Sequence, residues 1–348
     1  MWLRQKGCGG MRTVADLEER LSRPRDVLVD DLRKLDGDIL ILGAGGKLGP
    51  SLVRLALRGV AAAGTGARVV AVSRFSEAGL ADALRDEGAE VVEEDVADDA
   101  ALAALPDAAN VVFLVGAKFG TASREHATWA TNAYLPGRIA QRFAGSRLVA
   151  LSTGNVYPLV PVTTGGCVEQ TPVQPVGDYA MSCLGRERIL THFALRDDTP
   201  LALIRLNYAV EMRYGVLVDI ARTVHAGDTM DLTMGHANVV WQGYANEVIL
   251  RALHHTATPP FVLNLTGPEL VSVRQVATAV AARLGRELVL TGTEAPTALL
   301  SNAQICHRLF GYPDMPLAEL IELTADWVAD GQPLLGKPTG FQHRDGKF

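Results

Sequence analysis

Short apolar runs alternate with longer amphipathic stretches up to about residue 206. The apolar runs are bounded by turn residues, which is typical of buried strands, and they lie at 38–42, 67–72, 91–92, 110–115, 148–151 and 200–205. The longer stretches have the apolar spacing of helices at 80–87, 100–105, 129–144 and 178–195. Strands that alternate with helices predict a doubly wound parallel sheet, an α/β fold with helices on both faces.

A glycine-rich turn at 43–49 follows the first strand and opens the next helix. In this order Gly43 makes the tight turn, Gly46 lets the backbone approach a phosphate, and Gly49 permits close packing of helix against strand. The helix N-terminus then faces a pyrophosphate. The motif predicts a Rossmann domain that binds a dinucleotide, and three other residues of the turn join the expected cofactor contacts: Gly45, Lys47 and Leu48.

The pattern changes on both sides of this region. Residues 13–35 predict one or two short helices interrupted at Pro24. After about residue 206, short strands mix with helices; the strands are expected at 239–241, 261–265 and 288–290, and the helices at 245–255, 272–284 and 317–330. Residues 331–348 are rich in Gly, Pro and charge, and predict an irregular surface arm with Phe341 and Phe348 as anchors.

We therefore expect three parts. They are an N-terminal helical extension over 1–37, a dinucleotide-binding domain over 38–206, and a smaller C-terminal substrate lobe over 207–348, of which 241–253 returns to the middle domain.

Composition and charge narrow the class of protein. Hydrophobic residues make up 48% and charged residues 21%, as in an ordinary globular enzyme. The net charge of −6 argues against a nucleic-acid partner, which needs a basic face. No apolar run is long enough for a membrane span, and the N-terminus lacks the apolar stretch of a signal peptide. The scattered cysteines predict free thiols in a reducing cytoplasm and no metal site; they are Cys8, Cys167, Cys183 and Cys306.

Several further landmarks follow the glycine turn in a fixed order. They are Asp95-Val96 after the third strand, Gly116-Ala117 after the fourth, Asn132 in the next helix, Ser152-Thr153-Gly-Asn-Val156-Tyr157, Tyr179, and Arg205-Leu-Asn207-Tyr208. Together, over about residues 38–330, they resemble the extended short-chain dehydrogenase/reductases, also called the NAD-dependent epimerase/dehydratase family. The resemblance implies adenine contacts at Asp95 and Val96, a small-residue pair under the cofactor at Gly116 and Ala117, and Asn132 beside them.

Residues at the end of the second strand indicate whether the cofactor is NAD or NADP. An acidic residue there would bind the ribose hydroxyls of NAD, but this chain has Ser73 and Arg74. A hydroxyl and a guanidinium suit a 2′-phosphate through charge-assisted hydrogen bonds, so NADP is favoured over NAD. In the alternative interpretation, Arg74 stacks on adenine or faces solvent.

The resemblance also implies the catalytic groups. Tyr179 would pass a proton to or from the substrate oxygen while hydride moves between the neighbouring carbon and the nicotinamide. A hydroxyl at the end of the fifth strand would hold the same oxygen. Thr153 matches that place best, and Ser152 is the alternative. In the alternative interpretation, Tyr179 has no catalytic role and is an aromatic residue at the start of a helix that packs on the sheet.

One position departs from the family pattern Tyr-x-x-x-Lys, since Cys183 stands four residues after Tyr179, on the same helix face. The family's lysine binds the nicotinamide ribose, and its charge lowers the tyrosine pKa from about 10. A thiol does neither, so Cys183 is expected to be a small residue packed beside the cofactor. We expect Lys118 to replace the missing cation, and Arg186 is the other candidate.

The substrate side carries fewer signals. Gly154 and Asn155 stand where dehydratases of the family carry an Asp-Glu pair, and neither can serve as the acid or base in loss of water. The reactions that remain for this family are epimerisation through a keto intermediate and alcohol/ketone oxidoreduction. Amide, guanidinium and aromatic groups suit a sugar, and the expected substrate residues are Asn155, Asn207, Tyr208, Arg213 and Trp241.

These observations predict an NAD(P)-dependent oxidoreductase or epimerase that transfers hydride on a hydroxyl or ketone of a sugar, sugar acid or nucleotide sugar. The family resemblance implies a homodimer formed through the helices at 129–144 and 178–195. The alternative is a non-catalytic dinucleotide-binding sensor or scaffold that has lost the catalytic lysine. Oxidation or reduction of the bound nicotinamide by candidate sugars would distinguish the two.

Overall fold

A parallel sheet of seven strands runs through the computed structural model, which describes residues 11–118, 124–337 and 339–346. The strands are β1 Ile39–Leu42, β2 Val69–Ser73, β3 Glu90–Glu93, β4 Asn110–Phe113, β5 Arg147–Thr153, β6 Leu201–Leu206 and β7 Phe261–Leu265. Their spatial order is β7-β6-β5-β4-β1-β2-β3. The order reverses between β1 and β4, and doubly wound sheets bind their ligands at the carboxyl ends of the strands at such a point.

Helices cover both faces of the sheet, which confirms the predicted fold class. They are α1 Val14–Leu21, α2 Asp26–Lys34, α3 Gly49–Ala63, α4 Leu80–Asp86, α5 Asp99–Ala104, α6 Glu125–Trp129, α7 Leu135–Arg142, α8 Gly177–Asp197, α9 Val216–Ala226, α10 Gln242–Arg251, α11 Val273–Leu284, α12 Gln304–Phe310 and α13 Leu317–Ala329. Alternate residues of β1 enter opposite cores, with Ile39 and Ile41 in one and Leu40 and Leu42 in the other. Both faces of the strand are buried, so its sequence is apolar throughout.

The N-terminal extension is packed onto the central domain. Arg25, before α2, donates two hydrogen bonds to Glu247 of α10, at 2.5 and 2.6 Å. Gly59 of α3 leaves room for Leu32 of α2, because a Cβ there would lie 2.5 Å from a Leu32 methyl group. The first helices thus pack against both α3 and α10, two helices that are far apart in the sequence.

The C-terminal residues build a small lobe and also return to the sheet. The lobe contains short strand pairs, formed by Val160–Pro161 with Thr297–Ala298, Tyr208–Val210 with Val239–Trp241, Met230–Asp231 with Leu290–Thr291, and His236–Ala237 with Val271–Ser272. In the predicted return at 241–253, Gln242 and Asn246 of α10 both donate to Ser51 Oγ of α3, at 2.8 and 2.9 Å.

Strand 261–265 was assigned to the lobe by its position in the sequence, but it forms β7, the edge of the central sheet beside β6. Its apolar residues Leu263 and Leu265 are fully buried there. Among the described residues, no helix is long and apolar enough to cross a membrane. Cys167, Cys183 and Cys306 are free and buried, whereas Cys8 and Phe348 lie outside the described residues.

Candidate active site

The glycine turn lies at the carboxyl end of β1. Gly43 has a φ of +89°, a conformation that other residues rarely adopt. A Cβ on Gly49 would collide with the carbonyl of Ala44, so only glycine allows α3 to start this close to the strand. The Gly46 amide donates to the Gly43 carbonyl at 2.9 Å, which closes the turn. The turn thus forms a cradle free of side chains at the start of a helix, and this fits a pyrophosphate.

Two cavities extend from this turn and form one cleft. The first, of about 370 Å³, and the second, of about 380 Å³, share Gly46, Leu114 and Gly116 as lining residues. The first lies over β2 and the end of β3, and the second lies beside the end of β5 and the start of α8. A dinucleotide with its pyrophosphate at the turn would place one nucleoside in each half. The residues present fit such a cofactor.

The first half of the cleft contains the residues expected around adenine and its ribose. Ser73, Arg74, Asp95 and Val96 all line it, as does Gly45. The Arg74 side chain is 77% exposed, and its guanidinium lies 3.7 Å from an Asp95 carboxylate oxygen. A loose, exposed contact of this kind leaves the guanidinium able to turn toward a ligand.

Phe75 also lines this half and was missed by the sequence analysis. It is buried although its φ is +42°. Nothing in the sequence marks the residue after Arg74 for a left-handed conformation.

The Lys47 side chain does not stay at the phosphate turn, where the sequence motif placed it. Its ammonium group donates to the Ala209 carbonyl at 2.7 Å and lies 4.8 Å from the centre of the Tyr214 ring. Burial lowers the pKa of Lys47 to about 8, and the nearby charge of Glu211 opposes this shift. Lys47 and the neighbouring Leu48 thus line the second half of the cleft.

Tyr179 meets the end of β5 in this second half. It lies in the first turn of α8, half-buried, and lines the cleft with Thr153 and Cys183. Burial raises the pKa of the Tyr179 phenol, and Cys183 raises it further. A hydrogen bond with Thr153 and the charge of Arg186 lower it. The phenol and the threonine hydroxyl are thus brought together, as the family resemblance implied.

Ser152 also lines this half, but its hydroxyl is engaged with a buried carboxylate. It donates to Glu187 at 2.6 Å, and Glu187 accepts two hydrogen bonds from Arg205, at 3.0 and 2.7 Å. All three side chains are buried. Thr153 donates instead to Asn155 at 3.0 Å. Of the two expected oxygen-holding residues, the one beside the phenol is therefore Thr153.

Two cations lie near Tyr179 in place of the family's lysine. The Lys118 ammonium is 5.7 Å from the centre of the Tyr179 ring and 5.2 Å from that of Tyr208, and it donates to the Thr339 carbonyl at 3.3 Å. Burial lowers the pKa of Lys118 to about 8, and Cys183 opposes the shift. Burial raises the pKa of the neighbouring Cys183 thiol, and the charge of Arg186 opposes this shift.

Arg186 is the second cation, and it is almost fully buried. It donates to the carbonyls of Leu151 and Val115, at 2.6 and 2.9 Å, and to the side chain of Asn132 at 3.0 Å. These bonds fix its charge at the ends of β4 and β5. Although it is seven residues from Tyr179, Arg186 lines the same half of the cleft.

Asn132 does not face the cleft, contrary to its expected place among the cofactor contacts. It lies in a π-helical turn, Ala130–Tyr134, between α6 and α7, and is fully buried. Its side chain accepts a hydrogen bond from the Ala117 amide and donates to the Ala117 carbonyl, both at 2.8 Å. Asn132 therefore holds the Gly116–Ala117 backbone in position under the cleft.

Three of the five expected substrate residues line the second half of the cleft, namely Asn155, Asn207 and Tyr208. Arg213 is placed elsewhere, because its guanidinium pairs with Glu18 at 2.6 Å and with Glu211 at 3.2 Å. Trp241 is also placed elsewhere, since it is buried in the core and paired with Val210.

Tyr214, which follows the sixth strand on the expected substrate side, lines this half too, and so do Leu299 and Lys337, which were not predicted. Leu299 and Lys337 come from distant parts of the chain, and no local signal marks either. Among the described residues, no cluster of side chains could hold a metal ion, so none is assigned to this site.

Residues 39–230 match the sequence profile of the NAD dependent epimerase/dehydratase family. The chain belongs to this family. The recognition that rested on ordered landmarks is thereby confirmed, and the chain is an enzyme whose cofactor is a nicotinamide dinucleotide. Among curated protein sequences, the comparison found no match.

Solved structures show the same fold at low sequence identity. The UDP-glucose 4-epimerase of Thermotoga maritima, solved with UDP-glucose, is 16% identical with a TM-score of 0.69, over 84% of this chain and 99% of that one. A UDP-glucuronic acid 4-epimerase variant from Bacillus cereus, with NAD and a fluorinated UDP-sugar, is 15% identical with a TM-score of 0.70, over 84% and 99%. A short-chain dehydrogenase/reductase superfamily protein of Agrobacterium tumefaciens with bound NAD is 18% identical with a TM-score of 0.69, over 84% and 97%.

Proposed function

We propose that this family member is an epimerase or oxidoreductase that transfers hydride on a hydroxyl or ketone of a sugar, sugar acid or nucleotide sugar. The observation that carries the proposal is the meeting of Tyr179 and Thr153 in a cleft continuous with the glycine turn. When bound, the nicotinamide accepts or returns the hydride. The protein residues must then hold the substrate oxygen and move its proton.

Tyr179 is the proton-transfer residue of this proposal, and Thr153 holds the substrate oxygen. Burial and Cys183 disfavour the phenolate form of Tyr179, whereas the Thr153 hydrogen bond and the Arg186 charge favour it. Lys118 lies over the ring and adds a second positive charge. Together these groups take over the electrostatic part of the family lysine's role.

The residues after Thr153 favour epimerisation or oxidoreduction over dehydration. Gly154 has no side chain, and the Asn155 amide is hydrogen-bonded to the Thr153 hydroxyl. Neither can remove a proton from carbon or donate one to a leaving hydroxyl. Solved relatives of this fold bind UDP-sugars, which supports a nucleotide sugar within the proposed substrate class.

NADP is the proposed form of the cofactor. The support is Arg74, whose exposed guanidinium lies at the first half of the cleft next to Ser73. An arginine in this place can bind a 2′-phosphate through two parallel hydrogen bonds. Replacement of Arg74 by Ala should weaken NADP binding about tenfold or more and leave NAD binding nearly unchanged, in a fluorescence titration of the reduced cofactors. Equal losses for both would contradict this assignment.

A homodimer in the cytoplasm is part of the same proposal. Apolar side chains are exposed on the two helices through which the family resemblance implies pairing: Trp129, Tyr134, Met181 and Leu195. An exposed apolar face of this kind is typical of a surface that a partner covers.

The test incubates the protein with NAD or NADP and a panel of sugars, sugar acids and UDP-sugars. It follows absorbance at 340 nm for net oxidation or reduction and NMR of the sugar for epimerisation, which consumes no net hydride. Wild type should oxidise, reduce or epimerise at least one member, and Tyr179→Phe should be slower by a factor of about 10² or more while it still binds cofactor. Tyr312→Phe, which changes an exposed ring remote from this cleft, is the matched control. Cofactor binding without any turnover would favour the sensor or scaffold instead.

A further inference from the structure

The end of the chain crosses the substrate side of the cleft. We call residues 331–337 and 339–346 the C-terminal segment. After α13 its Leu335 amide donates to the Arg213 carbonyl at 3.0 Å. The amide and hydroxyl of Thr339 then donate to Asp219 of α9, at 3.1 and 2.6 Å. The Thr339 carbonyl accepts the hydrogen bond from Lys118, so the segment passes directly beside the proposed catalytic groups.

The far end of the C-terminal segment is also fixed. Phe341 is only 2% exposed and belongs to the main core. Arg344 donates to the carbonyl and hydroxyl oxygens of Thr297, at 2.7 and 2.6 Å. Gly346 lies against Gly177, the first residue of the helix that carries Tyr179. The segment thus joins the small lobe to α8 and forms a wall of the cleft.

This wall adds a positive charge to a site that already holds several. Lys337 lines the second half of the cleft together with Lys47, Lys118 and Arg186. Of the described residues that line this half, none carries a carboxylate. The whole chain has a net charge of −6, so the basic lining of this half contrasts with the composition of the chain. A cleft lined by one sign of charge attracts ligands of the opposite sign.

A neutral polar group in the same half also lacks a partner. Asn207 is only 7% exposed, and within the described chain neither its amide nitrogen nor its oxygen has a hydrogen-bond partner. It lies against Gly154, where a Cβ would come 2.5 Å from the Asn207 oxygen. Buried amides without partners are costly, and a bound ligand would supply the missing hydrogen bonds.

We propose that Lys337, with Lys47 and Asn207, binds an anionic group of the substrate, either a phosphate or a carboxylate. The C-terminal segment is thereby a specificity-determining part of the site. This inference rests on the proposed function, because it assumes that the second half of the cleft receives the substrate. The two anionic sources are a nucleoside diphosphate and a sugar acid.

The test measures binding of three probes to NADP-saturated protein by ligand-observed NMR titration: UDP, D-glucuronate and uncharged D-glucose. The variants are Lys337→Gln, Lys337→Arg and, as matched control, Lys34→Gln on a 72% exposed side chain of α2. Lys337→Gln should weaken binding of UDP or of glucuronate about tenfold, because one charge-assisted hydrogen bond is lost. Lys337→Arg should restore it. Glucose binding and NADP affinity should not change.

The probe that loses affinity identifies the anionic group as phosphate or carboxylate. The inference is overturned if wild type binds neither anionic probe, if Lys337→Gln binds both as wild type does, or if the affinity of Lys337→Gln for NADP falls in parallel. The last result would assign Lys337 to the cofactor. Failure of the proposed function has a different signature, since wild-type protein would then transfer no hydride whichever probe it binds.

Discussion

At the scale of single residues, the phenol of Tyr179 is governed by opposing influences. Burial and Cys183 raise its pKa, and Thr153 and Arg186 lower it. Lys118 adds a charge over the ring, 5.7 Å from its centre. The two cations differ in one respect, because burial lowers the pKa of Lys118 to about 8 while an arginine stays charged at every accessible pH. The contribution of Lys118 should therefore depend on pH.

This difference gives a pH prediction for kcat/KM in the oxidation direction. Below pH 8 Lys118 is charged and favours the phenolate, so wild type should match Lys118→Arg and exceed Lys118→Met by about tenfold, the effect of one pKa unit. Above pH 8 Lys118 loses its proton and its advantage. The wild-type rate should then approach that of Lys118→Met while Lys118→Arg stays high. Three parallel profiles would show that Lys118 does not act on the phenol.

The sequence pattern located residues that carry local signals, but it did not locate residues whose position is set by distant partners. Thr153 ends a strand and Tyr179 begins a helix, so short-range pattern places both at the same edge of the sheet. Arg213 was expected in the site because it follows the sixth strand and its guanidinium suits a sugar, but it pairs with Glu18 from the N-terminal extension. Lys47 leaves the glycine turn for a carbonyl of Ala209, a contact that no local pattern encodes.

At the scale of elements, the parallel sheet with helices on both faces follows from the alternating pattern, and irregular features do not. The predicted helix at 129–144 is divided into α6, a π-helical turn and α7. In the turn, the Asn132 side chain hydrogen-bonds both backbone groups of Ala117. Arg186 donates to the backbone carbonyl of Asn132 at 3.2 Å. These long-range bonds accompany the extra residue in the turn, so the sequence periodicity alone could not reveal it.

The helices α7 and α8 carry the prediction on assembly. Tyr134, in the turn before α7, is 66% exposed, and Met181 on α8 is 47% exposed, so a charge at either place should disfavour an apolar interface. Met181→Glu should convert a dimer to a monomer in sedimentation analysis without lowering the melting temperature of the monomeric fold. Leu309→Glu, at an exposed apolar residue of α12, is the control and should remain dimeric. A monomeric wild type would refute the homodimer.

At the scale of the whole molecule, the two ends of the chain complete the structure around the sheet. The N-terminal helices brace α3 and α10, and the C-terminal segment joins the lobe to α8. The sequence predicted a surface arm anchored at Phe341, and this residue is indeed buried. The path of the arm along the cleft depends on Asp219 and Thr297, which lie far away in sequence.

The anchoring of this segment is measurable as stability. Phe341→Ala should lower the free energy of unfolding by about 3–5 kcal/mol in urea titration, because it leaves a cavity in the core. Tyr312→Ala, at an exposed ring, should change it by about 0.5 kcal/mol or less. Equal, small effects would mean that the segment is not packed as described.

A crystal structure of the protein with its cofactor would show whether Tyr179 and Thr153 lie beside the reacting end of the dinucleotide. We expect adenine beside Asp95 and Val96, the pyrophosphate at the glycine turn, and the nicotinamide ring next to the Tyr179 hydroxyl. A nicotinamide lying outside the second half of the cleft, or a Tyr179 hydroxyl turned away from the ring, would contradict this expectation.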